Sequence, residues 1–579
     1  MMEFLVIPFV LFGALTLVLV WLLSGFAKSK FTPKTPPEQV IASNSTFLIF
    51  LVSIIAMFGL ALRLYGMNNS LWLDEFGTLW AVEGDFLQAV RRAFSFHHGQ
   101  SPFYYLIVWA CIHLLGISEI TLRLPSLLFG IATVYIAYRL ATALYGKKAG
   151  VIAACFLWTA PAMVRTSVDA RPYALALFMA AVMLYGFARA VKTGDRTGRW
   201  LFITGAVGLF STHYVLTPIA IGIAIGYIWF PTLREKYVPA NFARDFGIQL
   251  LLVMWCLPQV LQLLRNRERL SWLGAPNYLA FFELIAPFIV WTLAGFFFSR
   301  RPFGTRVQRP MTWVFLLGVV AQIAFLQLLE FLGTNLLHQR YMLVILVPAV
   351  LIATIALESI PRKVLIAPLA YWLLFTGVAF AMNYKAYESF SGAGFQDWRY
   401  AVRCVKNLVR NDPKAIVLYR SGFVEEDYRL HGEDPSNATL SPLLGPGTQP
   451  VSWNLIPLTY SWSKHGREEY FSRTVEPALR NASVFYFLTC AGCFNETTGN
   501  YPESLLAWIG KEIPGEFASE PIQAGHGITL IRFTKQAGDS RSLRRLRGSS
   551  SSAHGKSWNT EKTRAVIGLS VCASSRTPQ

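Results

Sequence analysis

The sequence predicts an all-α polytopic membrane domain followed by a small C-terminal α/β domain. Three observations carry that prediction. The chain of 579 residues is 54% hydrophobic and has a mean hydropathy of +0.42, more apolar than a soluble globular chain. Between residues 4 and 382 it breaks into apolar runs close to the roughly 20 residues a helix needs to cross a bilayer. Its lysines and arginines gather in short loops between those runs, the bias that marks cytoplasmic loops. The net charge of +19 is therefore read as membrane topology and not as a nucleic-acid footprint.

In chain order, the candidate spans are 4–25, 46–65, 121–143, 149–165, 172–190, 200–213, 215–231, 247–264, 279–298, 311–332, 341–358 and 364–382, giving about 11–12 transmembrane helices. The first apolar run, Phe4 to Phe26, lacks a basic n-region and a small-residue cleavage site. It reads as an extra span and not as a cleaved leader. Residues 102–117 are also apolar, but charge argues against a crossing. Lys28, Lys30 and Lys34, then Lys147 and Lys148, then Lys192, Arg196 and Arg199, then Arg234, Lys236 and Arg244, then Arg300, Arg301, Arg306 and Arg309, and last Arg362 and Lys363 share one face only if 102–117 is re-entrant or interfacial.

That choice fixes the opposite face. It receives the first external loop, 66–120, the turn at 166–171, the loops 265–278 and 333–340, and everything after 383. The organisation expected is therefore an N-terminal extra span and linker (1–45), a membrane domain (46–382), an external α/β domain (383–534) and a basic, Ser-rich, disordered tail (535–579). In the external region, Ala415–Tyr419, Ser483–Leu488 and Ile528–Phe533 read as strands. Trp398–Val409 and Tyr501–Ile509 read as helices, with Pro- and Gly-rich turns between. Sequons at Asn437, Asn481 and Asn495 agree with an external location. Of the seven cysteines, Cys111, Cys155 and Cys256 lie in apolar segments as small core residues. Cys490-Ala491-Gly492-Cys493 reads as a disulfide, a metal half-site or a chance spacing, with no second pair to complete a four-ligand zinc site.

Candidate chemistry clusters at the membrane edge of the outer face. Asp74 and Glu75 follow the 46–65 span. Asp74 is placed either to cap a helix over 75–82, with Glu75 as first-turn charge, or to act as a general base. A partly desolvated carboxylate suits the second role, because burial raises its pKa toward neutrality. Neighbours on a helix point in different directions, so only one of the two is expected to face a site. The stretch His97-His98-Gly99-Gln100-Ser101-Pro102-Phe103-Tyr104-Tyr105 offers two histidines that are either solvated loop residues or ligands of a divalent cation. Tyr104 and Tyr105 read as interface aromatics or as site residues.

The outer face also holds arginines that break its charge bias: Arg123, Arg171, the group Arg265, Arg267 and Arg269, and Arg340 in His338-Gln339-Arg340-Tyr341. Snorkelling accounts for any one of them. A lipid phosphate accounts for the set, because the guanidinium fork matches phosphate oxygens. Asp169 is placed either to cap the next span or to join the site.

Five segments in this order resemble the GT-C superfamily of membrane glycosyltransferases. They are Trp72-Leu73-Asp74-Glu75, Ser101-Pro102-Phe103-Tyr104-Tyr105, Arg123-Leu124-Pro125-Ser126, Tyr145-Gly146-Lys147-Lys148-Ala149-Gly150 and Asp169-Ala170-Arg171-Pro172-Tyr173-Ala174-Leu175. The likeness is to the family 39 type, which takes in protein O-mannosyltransferases, bacterial aminoarabinose transferases and lipopolysaccharide-core sugar transferases of the Rgt type. It runs from Leu71 to about Ala190, with a weaker echo at Arg340-Tyr341.

The resemblance implies a polyprenyl-phosphate sugar donor, a glycan, lipid or protein acceptor, and transfer on the outer face, in a bacterial inner membrane. It implies that Asp74 is the catalytic acidic residue, Asp169 the second acidic position and Arg340 the donor-phosphate arginine. Many relatives carry His-Pro-Pro where this chain has Gln100-Ser101-Pro102, so a metal assignment does not carry over and a divalent cation remains only an option. The expected site is Asp74, Asp169 and Glu75 for catalysis, with Arg340, Arg171, Arg123, Tyr104, Tyr341 and His98 for binding. Membrane lipids are expected partners and nucleic acid is not. The competing class is a multi-pass transporter or flippase, which ordinarily shows internal repeats and charged or broken helices at mid-membrane.

Overall fold

The computed structural model describes residues 38–95, 101–265, 308–334, 336–358, 398–412, 414–420, 454–458, 471–490, 517–523 and 528–535, with isolated positions between them. The span 4–25, His97 and His98, most of 279–298 and 364–382, the helix 501–509, Cys493, Asn437, Asn495 and the tail beyond 535 lie outside the described residues. The chain divides into two compact units, one of Met1–Asn69 with Ala81–Lys385 and one of Ser70–Trp80 with Ala386–Gln579.

The first unit is helical. Among the described residues, five helices are long and apolar enough to cross a membrane: Ile49–Met67, Glu119–Tyr145, Tyr173–Thr193, Pro239–Arg265 and Gln308–Phe331. The expected span 149–165 is a bent pair, Lys147–Thr159 and Pro161–Ser167, angled at 65°. Pro161 causes the break: it has no N–H for the carbonyl one turn earlier, and its ring clashes with that carbonyl. Three further expected spans are shorter helices, at Arg196–Phe210, Tyr214–Trp229 and Gln339–Ile355. The segment 102–117 forms Phe103–Leu115, 13 residues. At 1.5 Å per residue that is about 20 Å, well short of a hydrocarbon core of about 30 Å. Beside it lies a helix not expected from the sequence, Phe86–Ser95, with Phe86 and Leu87 exposed like Leu114 and Leu115. Phe86 meets Trp109 edge to face at 5.3 Å, so the two short helices pack together.

Local chemistry sets the helix ends. Ser118 and Thr121 form a capping box at the start of Glu119–Tyr145. Gly146, at φ +95°, ends that helix and starts the next within one residue, which only a residue without a Cβ does cheaply. Asp195 caps Arg196–Phe210 through the Gly198 N–H at 2.7 Å. Helix packing is closest where glycines meet backbone. A methyl group on Gly205 would collide with the Met183 backbone, and one on Gly222 would collide with the Gly318 backbone.

The second unit carries a five-stranded sheet of order β2-β1-β3-β5-β4, with β1 Ile416–Arg420, β2 Asn454–Leu458, β3 Val484–Cys490, β4 Phe517–Gln523 and β5 Ile528–Lys535. β2, β1 and β3 are parallel, and β5 and β4 are antiparallel additions. The expected strands 415–419, 483–488 and 528–533 are β1, β3 and β5. One face packs Leu418, Phe485, Phe487 and Phe533 with Val475 and Leu479, and Phe485 stacks on Phe533 at 4.7 Å. Val417, Tyr419 and Leu488 are buried as well, as expected for central strands covered on both faces. The helix Trp398–Asn411 buries Ala401, Cys404, Val405 and Leu408, the i, i+3, i+4, i+7 stripe of an amphipathic helix. Cys404 is disulfide-bonded. Asn481 is exposed.

Candidate active site

The helix that carries the two carboxylates begins at Leu73 and runs to Val82, two residues earlier than the sequence suggested. This shift changes which acid caps it. Glu75, fully buried, turns back so that its Oε2 accepts the Trp72 backbone N–H at 3.2 Å. That is the N3 half of a capping box, and Asp74 is not the N-cap residue. Asp74 is half-buried in the first turn, where the helix dipole favours a negative charge. Phe76 meets Trp398 edge to face at 6.0 Å, and Ser70 Oγ accepts the Arg399 N–H at 3.2 Å. The carboxylate-bearing segment is thus packed with the helix that precedes β1.

In the helical unit a polar and aromatic cluster is buried among apolar helices. The turn between Ser167 and Tyr173 supplies Arg171, 2% exposed, whose Nη1 reaches the Tyr105 hydroxyl at 3.5 Å. The Tyr104 and Ser126 hydroxyls share a hydrogen bond of 2.8 Å, and Ser126 Oγ also donates to the Arg171 carbonyl at 3.3 Å. His213 is fully buried, with its ring 5.6 Å from Tyr173 and 5.7 Å from Tyr341. Gln322 Nε2 donates to the carbonyls of Val215 and Tyr341 at 2.8 and 3.0 Å, tying three helices at this level. Arginine, histidine and tyrosine hydroxyls within one apolar packing form a donor-rich patch suited to an anionic oxygen.

The cluster gathers Arg171, Tyr104 and Tyr341 from the expected set and adds Tyr105, Ser126, Tyr173 and His213. Arg340 is half-buried in the short helix Gln339–Met342, and its N–H donates to His338 Nδ1 at 3.3 Å. Asp169 does not cap the following helix: Pro172 occupies the N-cap of Tyr173–Thr193 with no side-chain cap. Instead the Asp169 carbonyl accepts the Arg171 N–H at 2.7 Å, which tightens the turn and helps set Arg171 inward. Arg123 donates through Nη1 to the carbonyls of Gly66, Met67 and Asn69 at 3.2, 3.1 and 2.6 Å. It therefore satisfies carbonyls where the helix Glu38–Met67 ends, next to the segment that leads to Asp74. His98 lies outside the described residues. Among the described residues, no three His, Cys, Asp or Glu side chains converge as a metal site.

One buried arginine was not singled out in the sequence. Arg63 is fully buried and donates through Nη1 to Gly59 O at 2.9 Å and Trp158 O at 2.8 Å. Its guanidinium lies 3.9 Å from the Trp158 ring centre, and Trp158 Nε1 donates to Ala56 O at 2.9 Å. Trp158 sits in the last turn before the Pro161 break, so Arg63 occupies a carbonyl that the interrupted helix leaves without its usual partner.

Residues 98–257 match the family model described as dolichyl-phosphate-mannose-protein mannosyltransferase. That segment holds Tyr104, Arg123, Asp169, Arg171 and His213, while Asp74, Glu75, Arg340 and Tyr341 lie outside it. Among solved structures, the chain is similar to ArnT from Cupriavidus metallidurans bound to undecaprenyl phosphate. The identity is 13% and the TM-score 0.50, over 83% of this chain and 97% of that one. ArnT from the same organism in the apo state gives 13% identity and a TM-score of 0.49, over 85% and 98%. At this identity the likeness is one of fold. Among curated proteins, no sequence matches. The match over 98–257 and the shared fold point toward a membrane glycosyltransferase, and the membrane-length helices make the chain a multi-pass membrane protein.

Proposed function

We propose that this chain is a GT-C glycosyltransferase that moves a sugar from a polyprenyl-phosphate donor to an acceptor hydroxyl, with inversion at the anomeric carbon, on the membrane face opposite the basic loops. The observation that carries the reading is the division of labour at the start of Leu73–Val82. Glu75 is committed to capping through Trp72 N–H, and Asp74 is the half-buried carboxylate of the same turn. In the reaction, Asp74 takes the proton of the acceptor hydroxyl as that oxygen attacks the anomeric carbon. The bond from that carbon to the phosphate oxygen breaks, and polyprenyl phosphate leaves with the bonding pair. A phosphate leaving group needs charge stabilisation more than a proton. Arg171, held beside Tyr105, and Arg340 are assigned to that charge, with Asp169 setting the Arg171 turn.

The donor class is supported by the family match and by ArnT, whose structure holds undecaprenyl phosphate. The orientation is supported by the basic loops and by the Cys404 disulfide, a bond that persists in oxidising compartments such as the bacterial periplasm. The acceptor is a glycan, lipid or protein hydroxyl.

The test is Asp74→Asn in membranes supplied with a polyprenyl-phosphate sugar. Loss of a general base lowers transfer by about 10²–10⁴-fold, with donor retention unchanged because asparagine keeps the size and first-turn geometry. Near-normal transfer would remove Asp74 from the role. Arg340→Ala is expected to weaken donor capture at the same time as transfer. The anomeric configuration of product against donor, read by NMR, decides inversion: the same configuration in both would exclude it.

A further inference from the structure

The helix Glu119–Tyr145 turns an outward stripe toward its surroundings: Leu128 is 56% exposed, Ile131 40% and Tyr135 54%. On a membrane-crossing helix such a stripe meets lipid. The next position on it is Arg139, also exposed. It stands six residues before Tyr145, or about 9 Å of helix rise from the end. That end leads directly into Gly146, Lys147 and Lys148, one of the basic loops.

A snorkelling arginine reaches the headgroups with a loose side chain. Arg139 is instead fixed by two helices. Its Nη1 donates to Tyr135 OH at 2.8 Å and its Nη2 to Tyr185 OH at 3.4 Å. It lies 5.7 and 5.9 Å from the centres of the same two rings. Tyr185, on Tyr173–Thr193, stands one turn before Arg189 on the same helix, so two guanidiniums neighbour one phenol. Lys192, one turn further, donates to Ala143 O. Asp195 is the carboxylate that Arg189 meets, at 2.7 Å. The Arg139 partners are both neutral, so its charge is left uncancelled among the described residues.

We propose that Arg139, Tyr135, Tyr185 and Arg189 form a binding site for the phosphate of an anionic glycerophospholipid in the leaflet on the side of the basic loops. The guanidinium fork matches phosphate oxygens, and the apolar stripe above it offers the acyl chains the surface of Leu128 and Ile131. The site is separate from the transfer chemistry, because none of its residues belongs to the cluster around Arg171 and His213. It does not depend on the sugar-transfer reading.

The full chain, purified in detergent, is mixed with phosphatidylglycerol or phosphatidylcholine, and retained lipid is counted by native mass spectrometry. Phosphatidylglycerol is expected to be retained in preference. Arg139→Gln should lower that retention roughly fivefold, the effect of one basic residue near an anionic surface. Arg139→Lys, which keeps the charge but not the fork, should fall between. Tyr185→Phe should lower retention as well. Equal retention of the two lipids, an unchanged Arg139→Gln, or displacement of phosphatidylglycerol by an equal amount of polyprenyl phosphate would overturn the proposal.

Discussion

Arg63 and Arg199 are both largely buried guanidiniums of the helical unit, and they are held in opposite ways. Among the described residues Arg63 has neutral partners, two backbone carbonyls and an indole face. Arg199 grips Asp245 with two hydrogen bonds, at 2.6 and 2.7 Å, and Tyr237 OH adds a third to the same carboxylate at 2.9 Å. The first arrangement serves the backbone, filling the Trp158 carbonyl at a helix break. The second joins two helices, clamping the first turns of Pro239–Arg265 against Arg196–Phe210. A buried carboxylate that loses its cation is left charged in an apolar setting. A carbonyl that loses its donor remains a neutral dipole and costs less.

That difference orders the expected effects. Asp245→Ala should destabilise the chain in detergent by about 3–5 kcal/mol, because it strands Arg199. The double variant Arg199→Met with Asp245→Leu should recover most of that loss, and failure to recover would show that the Tyr237 and Arg244 contacts to Asp245, and not the Arg199 pair, hold the start of this helix. Arg63→Met should cost about 1–3 kcal/mol, the penalty of unsatisfied buried carbonyls. An effect as large as that of Asp245→Ala would break the contrast. Both are read by thermal unfolding of the purified protein.

The smallest effect is expected at Asp195. The Arg189 hydrogen bond holds its carboxyl below the usual carboxylate range, aided by the Gly198 N–H. A lowered folded pKa contributes stability that is present above the unfolded value and lost as pH falls through the folded one. Asp195→Asn keeps the cap and removes the charge. It should lower stability by only about 0.2–1 kcal/mol near neutral pH, the range of an exposed pair. The gap between variant and parent should close below about pH 4, the ordinary carboxylate pKa. A gap that persists in acid would assign the contribution to the cap geometry.

What the sequence made legible follows from how each element is exposed. The central strands β1, β3 and β5 are continuous apolar or β-branched runs because they are covered. The strands missed, β2 and β4, are the sheet edges, and each contains a proline, Pro457 and Pro521. Proline cannot donate to a ladder and is tolerated at edges, so it hides the strand from periodicity. At the site, Arg171, Tyr104 and Tyr341 were visible as polar residues at the ends of apolar runs. His213 was not, because it ends the 200–213 run and reads as the tail of one span beside the next, 215–231. Thr212-His213-Tyr214, a polar break inside apolar sequence, was its only signal. The roles of Asp74 and Glu75 turned on a helix start two residues earlier than expected, and boundaries are the least secure part of any periodicity reading.

The glycine contacts have a consequence for motion. Tyr173–Thr193 meets Arg196–Phe210 through Gly205, and Ile219–Trp229 meets Gln308–Phe331 through Gly222 and Gly318, backbone against backbone. At Gly205 and Gly222 no side chain separates the two backbones, so neither contact can slide by a change of rotamer. Under the proposed function, a rearrangement that admits a long lipid donor is expected to fall at the joints and not at these contacts, above all at the Ala160–Pro161 bend that Arg63 pins.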